Sequence, residues 1–346
     1  MSDSKKKASD RAIAGLKKKA TPMAASAYLE GILKGDVNLL SQAITLIESA
    51  VPAHRKIAEE IINGCLPHTG NAIRIGITGV PGVGKSTFIE SFGSYLISNF
   101  GKKLAVLAID PSSPISKGSI LGDKTRMEEL SMNKSAFIRP SPSAETLGGV
   151  AQKTRESLLL CEAAGFDVIL IETVGVGQSE TAVHQMTDFF LLLMLAGAGD
   201  QLQGIKRGIM EMCDALVITK ADGENKNAAN RAKAEYLSAL HFYPPKESGW
   251  IPKVDACSAL TKEGMDRVWD IISQHHQWLS ERGLLQSIRN SQDLSWMKET
   301  LTDKVLQDYF QSPEVIAEIK KMETEISAKK ITPFQAAERL FGLKKN

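Results

Sequence analysis

The feature that most constrains the fold is the octapeptide Gly-Val-Pro-Gly-Val-Gly-Lys-Ser at residues 79–86, which fits the pattern G-x-x-x-x-G-K-[ST]. The apolar run Ile73–Thr78 precedes it, and a helical pattern through Phe88 and Phe92 follows it. In a strand–loop–helix unit of this kind, backbone N–H groups surround a β-phosphate and the helix N-terminus adds partial positive charge. The alternative is an ordinary glycine-rich turn. The motif in this context predicts nucleotide binding by Gly79, Val80, Pro81, Gly82, Val83, Gly84, Lys85, Ser86 and Thr87.

The middle of the chain alternates short apolar runs with helical patterns. Glu145–Ala164 and Asn225–Leu240 are predicted helices. Continuous apolar strands between helices indicate a mainly parallel sheet that is covered on both faces. With right-handed crossovers, this predicts a doubly wound α/β fold of the P-loop NTPase type. The predicted strands are Ile73–Thr78, Leu104–Ile109, Val168–Ile171, Phe189–Leu195, Ala215–Thr219 and Ile251–Ala256.

Helical patterns flank this region on both sides. The N-terminal ones are Ala25–Leu33 and Leu39–Ile47, and Asp36 is the predicted N-cap of the second. We therefore expect an N-terminal helical extension at 1–70, a P-loop nucleotide-binding domain at 71–262 and a C-terminal helical region at 263–346. The predicted C-terminal helices are Asp266–Leu279, Trp296–Tyr309, Pro313–Ser327 and Pro333–Phe341.

The lysine-rich first twenty residues are expected to form a solvated tail. An organelle transit peptide is the alternative, but Asp3, Asp10 and the preference for Lys over Arg count against it.

Composition excludes several classes of function. The net charge of +2 over 346 residues gives no reason to expect nucleic acid or a membrane surface as a partner. The four cysteines are far apart, which disfavours a disulfide framework or a structural zinc site. The longest apolar run, residues 189–196, is too short to span a bilayer. We expect a cytoplasmic protein.

Acidic residues end two of the predicted strands. Asp110 follows the run Leu104–Ile109, and Glu172 follows Val168–Ile171. Strands next to the P-loop strand deliver such carboxylates to one edge of the sheet, where Mg²⁺ needs oxygen ligands. Either acid alone could be a helix N-cap or a solvated loop residue. Together they favour a metal site with Ser86, while Lys85 reaches the β- and γ-phosphates.

The segment Glu172-Thr-Val-Gly175 stands where small GTPases carry Asp-x-x-Gly. The Gly175 N–H is then expected to sense the γ-phosphate, and the segment through Glu180 to move after hydrolysis. Val176 occupies the position of the water-orienting Gln of Ras-like enzymes. We therefore expect slow intrinsic hydrolysis.

The segment Thr219-Lys220-Ala221-Asp222 follows an apolar strand, as the guanine-reading motif Asn-Lys-x-Asp does. The Asp222 carboxylate can accept hydrogen bonds from guanine N1–H and N2–H₂, which adenine does not offer, and the Lys220 stem packs on the base. The Asn of this motif tethers the P-loop, and because Thr219 replaces it, we expect the P-loop to be tethered less strongly here. The loop Ser258-Ala259-Leu260 is the candidate for backbone contacts with the base. The alternative is a solvated lysine–acid turn.

Further segments carry a resemblance to a known family. They are Asp110-Pro-Ser-Ser-Pro, Gly118-Ser-Ile-Leu-Gly-Asp123-Lys-Thr-Arg-Met127, Phe137-Ile-Arg-Pro, Leu147-Gly-Gly-Val and Glu172-Thr-Val-Gly-Val-Gly-Gln-Ser-Glu180. From about residue 25 to its end, the chain resembles the MeaB/ArgK/MMAA family. Members of that family are P-loop GTPases and chaperones of adenosylcobalamin-dependent mutases, above all methylmalonyl-CoA mutase.

The resemblance implies further roles. Asp110, Asp123 and Glu172 match the acidic residues that surround Mg²⁺ with Ser86. Residues 110–127 match the first switch of the family, and residues 172–186 match the second. Residues 197–207 match a third mobile segment, which in the family relays the nucleotide state to the mutase. For this third segment, a strand-to-helix turn is the alternative. The resemblance also implies a homodimer built through the C-terminal helices.

The leading interpretation is a GTPase that gates adenosylcobalamin delivery to a mutase and protects or reactivates that enzyme. A nickel-inserting metallochaperone is one alternative, but the adjacent pair His275-His276 in a predicted helix is interpreted as a solvated face. A P-loop kinase or transport ATPase is another. It requires a preference for ATP, against which Asp222 argues.

Overall fold

The computed structural model describes residues 22–109, 127–140, 147–173, 179–197 and 207–343. A seven-stranded sheet lies at its centre, and every strand pair in it is parallel. The strand order is β3-β2-β4-β1-β5-β6-β7. The strands are β1 (Ile73–Gly79), β2 (Leu104–Ile109), β3 (Ala136–Arg139), β4 (Val168–Thr173), β5 (Phe189–Met194), β6 (Ala215–Ile218) and β7 (Lys253–Ala256).

Helices connect and extend these strands. Those up to the second strand are α1 (Ala25–Leu33), α2 (Val37–Glu48), α3 (Pro52–Cys65) and α4 (Lys85–Phe100). The helices among the strands are α5 (Glu128–Met132), α6 (Leu147–Ala163), α7 (Ser179–His184), α8 (Arg207–Met212) and α9 (Lys226–Leu240). The last four are α10 (Met265–Glu281), α11 (Leu284–Gln311), α12 (Pro313–Ser327) and α13 (Pro333–Gly342).

The core lies on both faces of the sheet, which confirms the doubly wound α/β prediction. Along β4, Ile169 and Ile171 point into one cluster of buried side chains, whereas Val168 and Leu170 point into the other. This alternation explains why the central strands read as continuous apolar runs, since both faces of each strand exclude water.

Several elements differ from the sequence predictions. Strand β3 was missed because it has four residues at the sheet edge, of which only Phe137 and Ile138 are buried. Strand β7 begins at Lys253, not at Ile251, whose side chain is exposed. Helix α11 is 28 residues long and begins twelve residues before the predicted Trp296.

The N-terminal helices are fastened to the sheet domain by charged as well as apolar contacts. Asp36 caps α2 as predicted, since its carboxylate accepts from the N–H groups of Asn38 and Leu39 at 2.8 and 3.1 Å. The Arg55 guanidinium of α3 donates to both carboxylate oxygens of Glu156 on α6, at 3.1 and 2.9 Å.

A second ion pair is more deeply buried. Arg74 of β1 donates to Glu162 of α6 through Nε at 2.9 Å and Nη2 at 2.8 Å. The Gly70 N–H also donates to Glu162, at 3.0 Å. Because these donors satisfy the carboxylate away from water, the pair fixes the start of β1 against α6.

The histidine pair on α10 is not the solvated face that was predicted. His275 is 3% exposed, and its ring packs edge-on against Phe189 and Trp250. Its Nε2 lies 3.6 Å from the Asp214 carboxylate. His275 is therefore a core residue, and it lies on the same face of α10 as the buried Val268, Ile272 and Leu279, at helical spacing.

The described chain divides into two compact units, Met1–His275 and His276–Asn346. In the second, Thr332 and Gln335 form a capping box at the start of α13, and the Tyr309 hydroxyl donates to the Leu340 carbonyl. The domain limits expected at residues 70 and 262 remain a prediction.

Among the described helices, none combines the length and apolar character needed to cross a bilayer. All four cysteines are buried free thiols.

Replacement of Glu162 by Gln is expected to lower the free energy of unfolding by about 3 kcal/mol, because it leaves the Arg74 charge buried without its counter-ion. Urea denaturation followed by circular dichroism measures the loss. Glu30→Gln is the matched control, since the Lys34–Glu30 pair is exposed on α1 and is expected to leave the midpoint unchanged. Equal effects of the two substitutions would contradict the structural role of the buried pair.

Candidate functional site

The phosphate loop is held by a close approach of two backbones. A Cβ atom at Gly79 would lie 2.5 Å from the Leu193 carbonyl oxygen of β5, so no other residue fits there without movement. At the other end of the loop, Gly84 has a φ of +89° and is the N-cap of α4. Val83, between them, is 1% exposed and anchors the loop in the core. The loop is thus fixed at both ends and in its middle.

Lys85 starts α4, and its side chain lies back along the loop. Its Nζ donates to the Gly79 carbonyl at 2.9 Å. Burial lowers the pKa of Lys85, and the negative charges of Glu172 and Glu180 oppose that shift. Because burial removes water from the ammonium group, phosphate oxygens would be favourable additional partners for its charge. This environment suits an anionic ligand.

A hydroxyl and a carboxylate meet beside the loop. Ser86, in the first turn of α4, donates from Oγ to Oε1 of Glu172 at 3.3 Å. Glu172 is in β4, directly opposite Ile77 of β1, so the sheet register carries it to the phosphate loop. The next residue, Thr173, donates to the Thr78 hydroxyl at 2.9 Å and ties the two strand ends together.

These oxygen donors fit Mg²⁺, which prefers hydroxyl and carboxylate ligands. Of the four residues predicted to surround the metal, the structure brings Ser86 and Glu172 together. Asp110 and Asp123, and also Gly175, lie outside the described residues. Within the described ranges, no group of three or more His, Cys, Asp or Glu side chains is placed to hold a metal ion.

Sequence reasoning missed the importance of Glu180, which it placed only in a segment expected to move. The Glu180 side chain is fully buried at the start of α7. The Ser179 hydroxyl lies 3.4 Å from its Oε2, while its Oε1 accepts no hydrogen bond from any described residue. Its charge acts on Lys85, so it belongs to the electrostatic surroundings of the phosphate site. An acid eight residues after Glu172 in one motif was the only signal available.

Thr219 links the phosphate loop to the neighbouring strands. Its hydroxyl donates to the Val83 carbonyl at 2.8 Å and also lies 3.3 Å from the Met194 carbonyl. Thr219 is 3% exposed, so water does not compete for this bond. The brace that Asn makes in other guanine-reading motifs is thus made here by a threonine hydroxyl.

Lys220 and Asp222 each form a hydrogen bond with a neighbouring loop. The Lys220 Nζ donates to the Gly82 carbonyl at 3.0 Å, which places the lysine stem across the phosphate loop. Lys220 has a φ of +56°, and the Asn225 side chain holds its carbonyl with a hydrogen bond of 2.7 Å. Asp222 accepts a hydrogen bond from the Ser258 hydroxyl.

The loop at residues 258–260 is thereby tied to Asp222. The Ser258 hydroxyl also accepts from the Thr261 N–H at 3.1 Å, so one side chain orders the turn and orients the carboxylate. The Leu260 side chain is 83% exposed. The predicted base residues Thr219, Lys220, Asp222 and Ser258 are all assembled beside the phosphate loop.

Comparison with known proteins gives one family. The family model described as "Methylmalonyl Co-A mutase-associated GTPase MeaB" matches residues 40–314. The protein named GTPase ArgK of Escherichia coli is 49% identical over 277 residues, which cover 80% of this chain and 83% of that protein.

Two further relatives extend the comparison. The mouse protein named "Methylmalonic aciduria type A homolog, mitochondrial" is 44% identical over 320 residues, covering 90% of this chain and 77% of that protein. A solved structure of a protein called LAO/AO transport system kinase has a TM-score of 0.74 and 37% identity, covering 93% of this chain and 98% of that one.

Removal of the Thr219 hydroxyl is expected to weaken GDP binding about tenfold. Thr219→Val keeps the shape of the side chain but leaves the Val83 carbonyl buried without its donor. Thr219→Ser is the matched control and is expected to bind GDP like the unmodified chain. Titration calorimetry measures both dissociation constants. Wild-type affinity in Thr219→Val would show that the hydroxyl does not brace the loop.

Exchange of the Asp222 carboxylate for a carboxamide is expected to change the preferred base. Asp222→Asn should bind GDP about 100-fold more weakly, because it loses an anionic acceptor for two base N–H groups. It should gain affinity for xanthosine diphosphate, whose 2-oxo group accepts from the Asn amide. Competition titrations with the two nucleotides test this. Unchanged selectivity would remove Asp222 from the base site.

Proposed function

Because this chain belongs to the MeaB family of methylmalonyl-CoA mutase-associated GTPases, we propose that it is a GTP-hydrolysing chaperone of a methylmalonyl-CoA-type mutase. Its task is to gate the delivery of adenosylcobalamin to the mutase and to protect or reactivate that enzyme. The chain is a GTPase by family. The structural observation that carries the nucleotide assignment is the assembly of Asp222, Lys220 and Thr219 against the phosphate loop.

Hydrolysis of GTP here depends on positioning and on neutralisation of charge. Lys85 is placed to bind the β- and γ-phosphates. Ser86 and Glu172 would hold Mg²⁺, together with Asp110 and Asp123. The ion would supply positive charge to the phosphate oxygens as the bond to the γ-phosphate breaks. Asp222 selects guanine.

Slow basal turnover is part of the proposal. Val176 stands where Ras-like enzymes have the glutamine that orients the attacking water. An apolar side chain at this place has no group with which to position water. The water is therefore oriented only after a rearrangement or after a partner has bound, which suits a regulatory GTPase.

Coupling to the partner is assigned to three segments, residues 110–127, 172–186 and 197–207. The described part of the second segment supports this assignment, because α7 begins with the buried Glu180, whose charge acts on Lys85. A γ-phosphate bound at Lys85 changes the charge that faces Glu180. Helix α7 is thus placed to respond to the nucleotide.

The chain is further proposed to form a homodimer through its C-terminal region. In α11, the side chains of Leu294, Met297, Leu301 and Val305 recur every three or four residues, and each is between 56 and 60% exposed. An exposed apolar stripe along one helix face is typical of an interface between subunits.

The two alternative functions are not favoured. For nickel insertion, the candidate histidine His275 is buried among aromatic rings beside Asp214. For a kinase or transport ATPase, adenine would have to bind beside Asp222, whose carboxylate faces no matching pair of N–H groups on that base. The name "transport system kinase" belongs to the similar protein of known structure and assigns no activity to this chain.

GTP turnover by the purified chain, alone and with a methylmalonyl-CoA mutase, tests the proposed function. We expect slow basal release of phosphate and at least a tenfold acceleration by the mutase. Lys85→Ala is the control and should abolish turnover in both conditions, because it removes the charge that faces the phosphates. Phosphate release at the same rate with and without the mutase would contradict the chaperone proposal but would not affect the GTPase assignment.

A further inference from the structure

Helix α7 and the turn after it rest on the strand that leads into the phosphate loop. A Cβ atom at Gly76 of β1 would lie 2.7 Å from Cγ1 of Val183 and 3.1 Å from Oγ1 of Thr187, so these side chains contact the strand backbone directly. Val183 is fully buried, and the Thr187 hydroxyl donates to its carbonyl at 2.9 Å. This packing fixes α7 beside β1, close to the point where the strand ends at Gly79.

The direction of α7 brings its first turn towards the phosphate loop. The chain leaves β4 at Thr173, on the carboxyl edge of the sheet, and enters β5 at Phe189, on the amino edge. Helix α7 therefore runs back from the carboxyl edge. Glu180 precedes Val183 by three positions and lies on the same face of the helix. Because Val183 packs on Gly76, Glu180 lies on the sheet side of α7, nearer to the phosphate loop.

The Glu180 carboxylate is a buried charge with little compensation from hydrogen bonds. Its Oε2 lies 3.4 Å from the Ser179 hydroxyl, and its Oε1 accepts no hydrogen bond within the described ranges. A buried carboxylate is costly unless donors or opposite charges surround it. Its charge acts on the Lys85 ammonium, as does the charge of Glu172. Lys85 is thus within range of two negative charges before a nucleotide binds.

We propose that Glu180 determines the preference between guanosine di- and triphosphate, because its buried carboxylate repels the γ-phosphate bound at Lys85. This inference rests on the proposed role of Lys85 in binding the β- and γ-phosphates. GTP brings an additional negatively charged phosphate to the ammonium group on which Glu180 already acts. Charges that are buried in the protein are screened much less than charges at its surface. Glu180 therefore lowers the affinity for GTP more than the affinity for GDP.

Glu172 does not have this effect on the preference. Its Oε1 accepts from the Ser86 hydroxyl, and both groups are assigned to Mg²⁺, which accompanies the nucleotide and neutralises the Glu172 charge. Glu180 is not among the residues assigned to the metal, so its charge opposes the γ-phosphate directly. The γ-phosphate thus works against the packed position of α7, and hydrolysis restores that position. In many GTPases the γ-phosphate has the opposite effect, since it orders the switch segments.

Titration of GDP and the non-hydrolysable analogue GMPPNP, each with Mg²⁺, onto Glu180→Gln tests the proposal, because this substitution removes the charge but keeps the size of the side chain. We expect GMPPNP to bind about 5- to 10-fold more tightly than to the unmodified chain, and the GDP affinity to change less than about twofold. Glu180→Asp keeps the carboxylate and should retain the original preference. Thr181→Ala, at an exposed position of α7, is the matched control.

Amide hydrogen exchange at residues 179–187 gives a second measurement, which needs no substitution. In the unmodified chain, we expect faster exchange with GMPPNP than with GDP, because the γ-phosphate disfavours the packed position of α7. Equal or slower exchange with GMPPNP would contradict the repulsion. This measurement applies even if thermal denaturation shows that Glu180→Gln does not fold.

An unchanged ratio of the GDP and GMPPNP dissociation constants in Glu180→Gln would overturn the role of Glu180 alone, because a merely structural residue would affect both nucleotides equally. If Lys85→Ala binds GMPPNP as tightly as the unmodified chain does, the phosphate site at Lys85 fails, and the proposal for Glu180 fails with it. A shifted preference in Glu180→Gln, together with weakened binding in Lys85→Ala, would support both.

Discussion

The hydrogen bond from the Thr219 hydroxyl to the Val83 carbonyl joins the two halves of the nucleotide site. Thr219 follows β6, and Val83 is the buried centre of the phosphate loop after β1. The same hydroxyl reaches the Met194 carbonyl at the end of β5, which lies between these strands in the sheet. Three adjacent strand ends therefore meet at one side chain. This junction fixes the start of the segment that holds Lys220 and Asp222 relative to the phosphate loop.

Parallel strands make such a junction possible, because they bring their carboxyl ends to one edge. The opposite edge is cross-linked by buried charges. Asp214, just before β6, accepts from the Phe190 N–H of β5 at 2.8 Å and from the Lys246 ammonium at 2.5 Å. Arg74 and Glu162 fasten the start of β1 to α6. With its amino edge held this way, the sheet presents a rigid carboxyl edge to the ligand.

The sequence was most informative where function depends on local spacing. The phosphate loop was predicted residue by residue, since its glycines, Lys85 and Ser86 act within eight consecutive positions. The central strands were predicted for a related reason, because burial on both faces leaves a continuous apolar run. Strand β3 was missed because an edge strand of four residues leaves no such run.

Contacts between distant segments could not be predicted from the sequence. The spacing of His275 from the buried Val268, Ile272 and Leu279 places it on the apolar face of α10, but its ring contacts with Phe189 and Trp250 could not be predicted from that spacing. Thr219 was interpreted as a weakened brace, because its reach to Val83 depends on the separation of two strand ends. The hydrogen bond from the Ser91 hydroxyl of α4 to the Ala259 carbonyl spans 168 positions, and a serine within an apolar helical pattern gives no sign of its partner.

Comparison of GDP and ADP binding by the purified, nucleotide-free chain in the presence of Mg²⁺ tests the central claim most directly. The arrangement of Asp222, Lys220 and the loop at residues 258–260 predicts that GDP binds at least about 100-fold more tightly than ADP, since adenine offers Asp222 no pair of N–H donors. Equal affinities, or a preference for ADP, would contradict the account of the base site and of the function built on it.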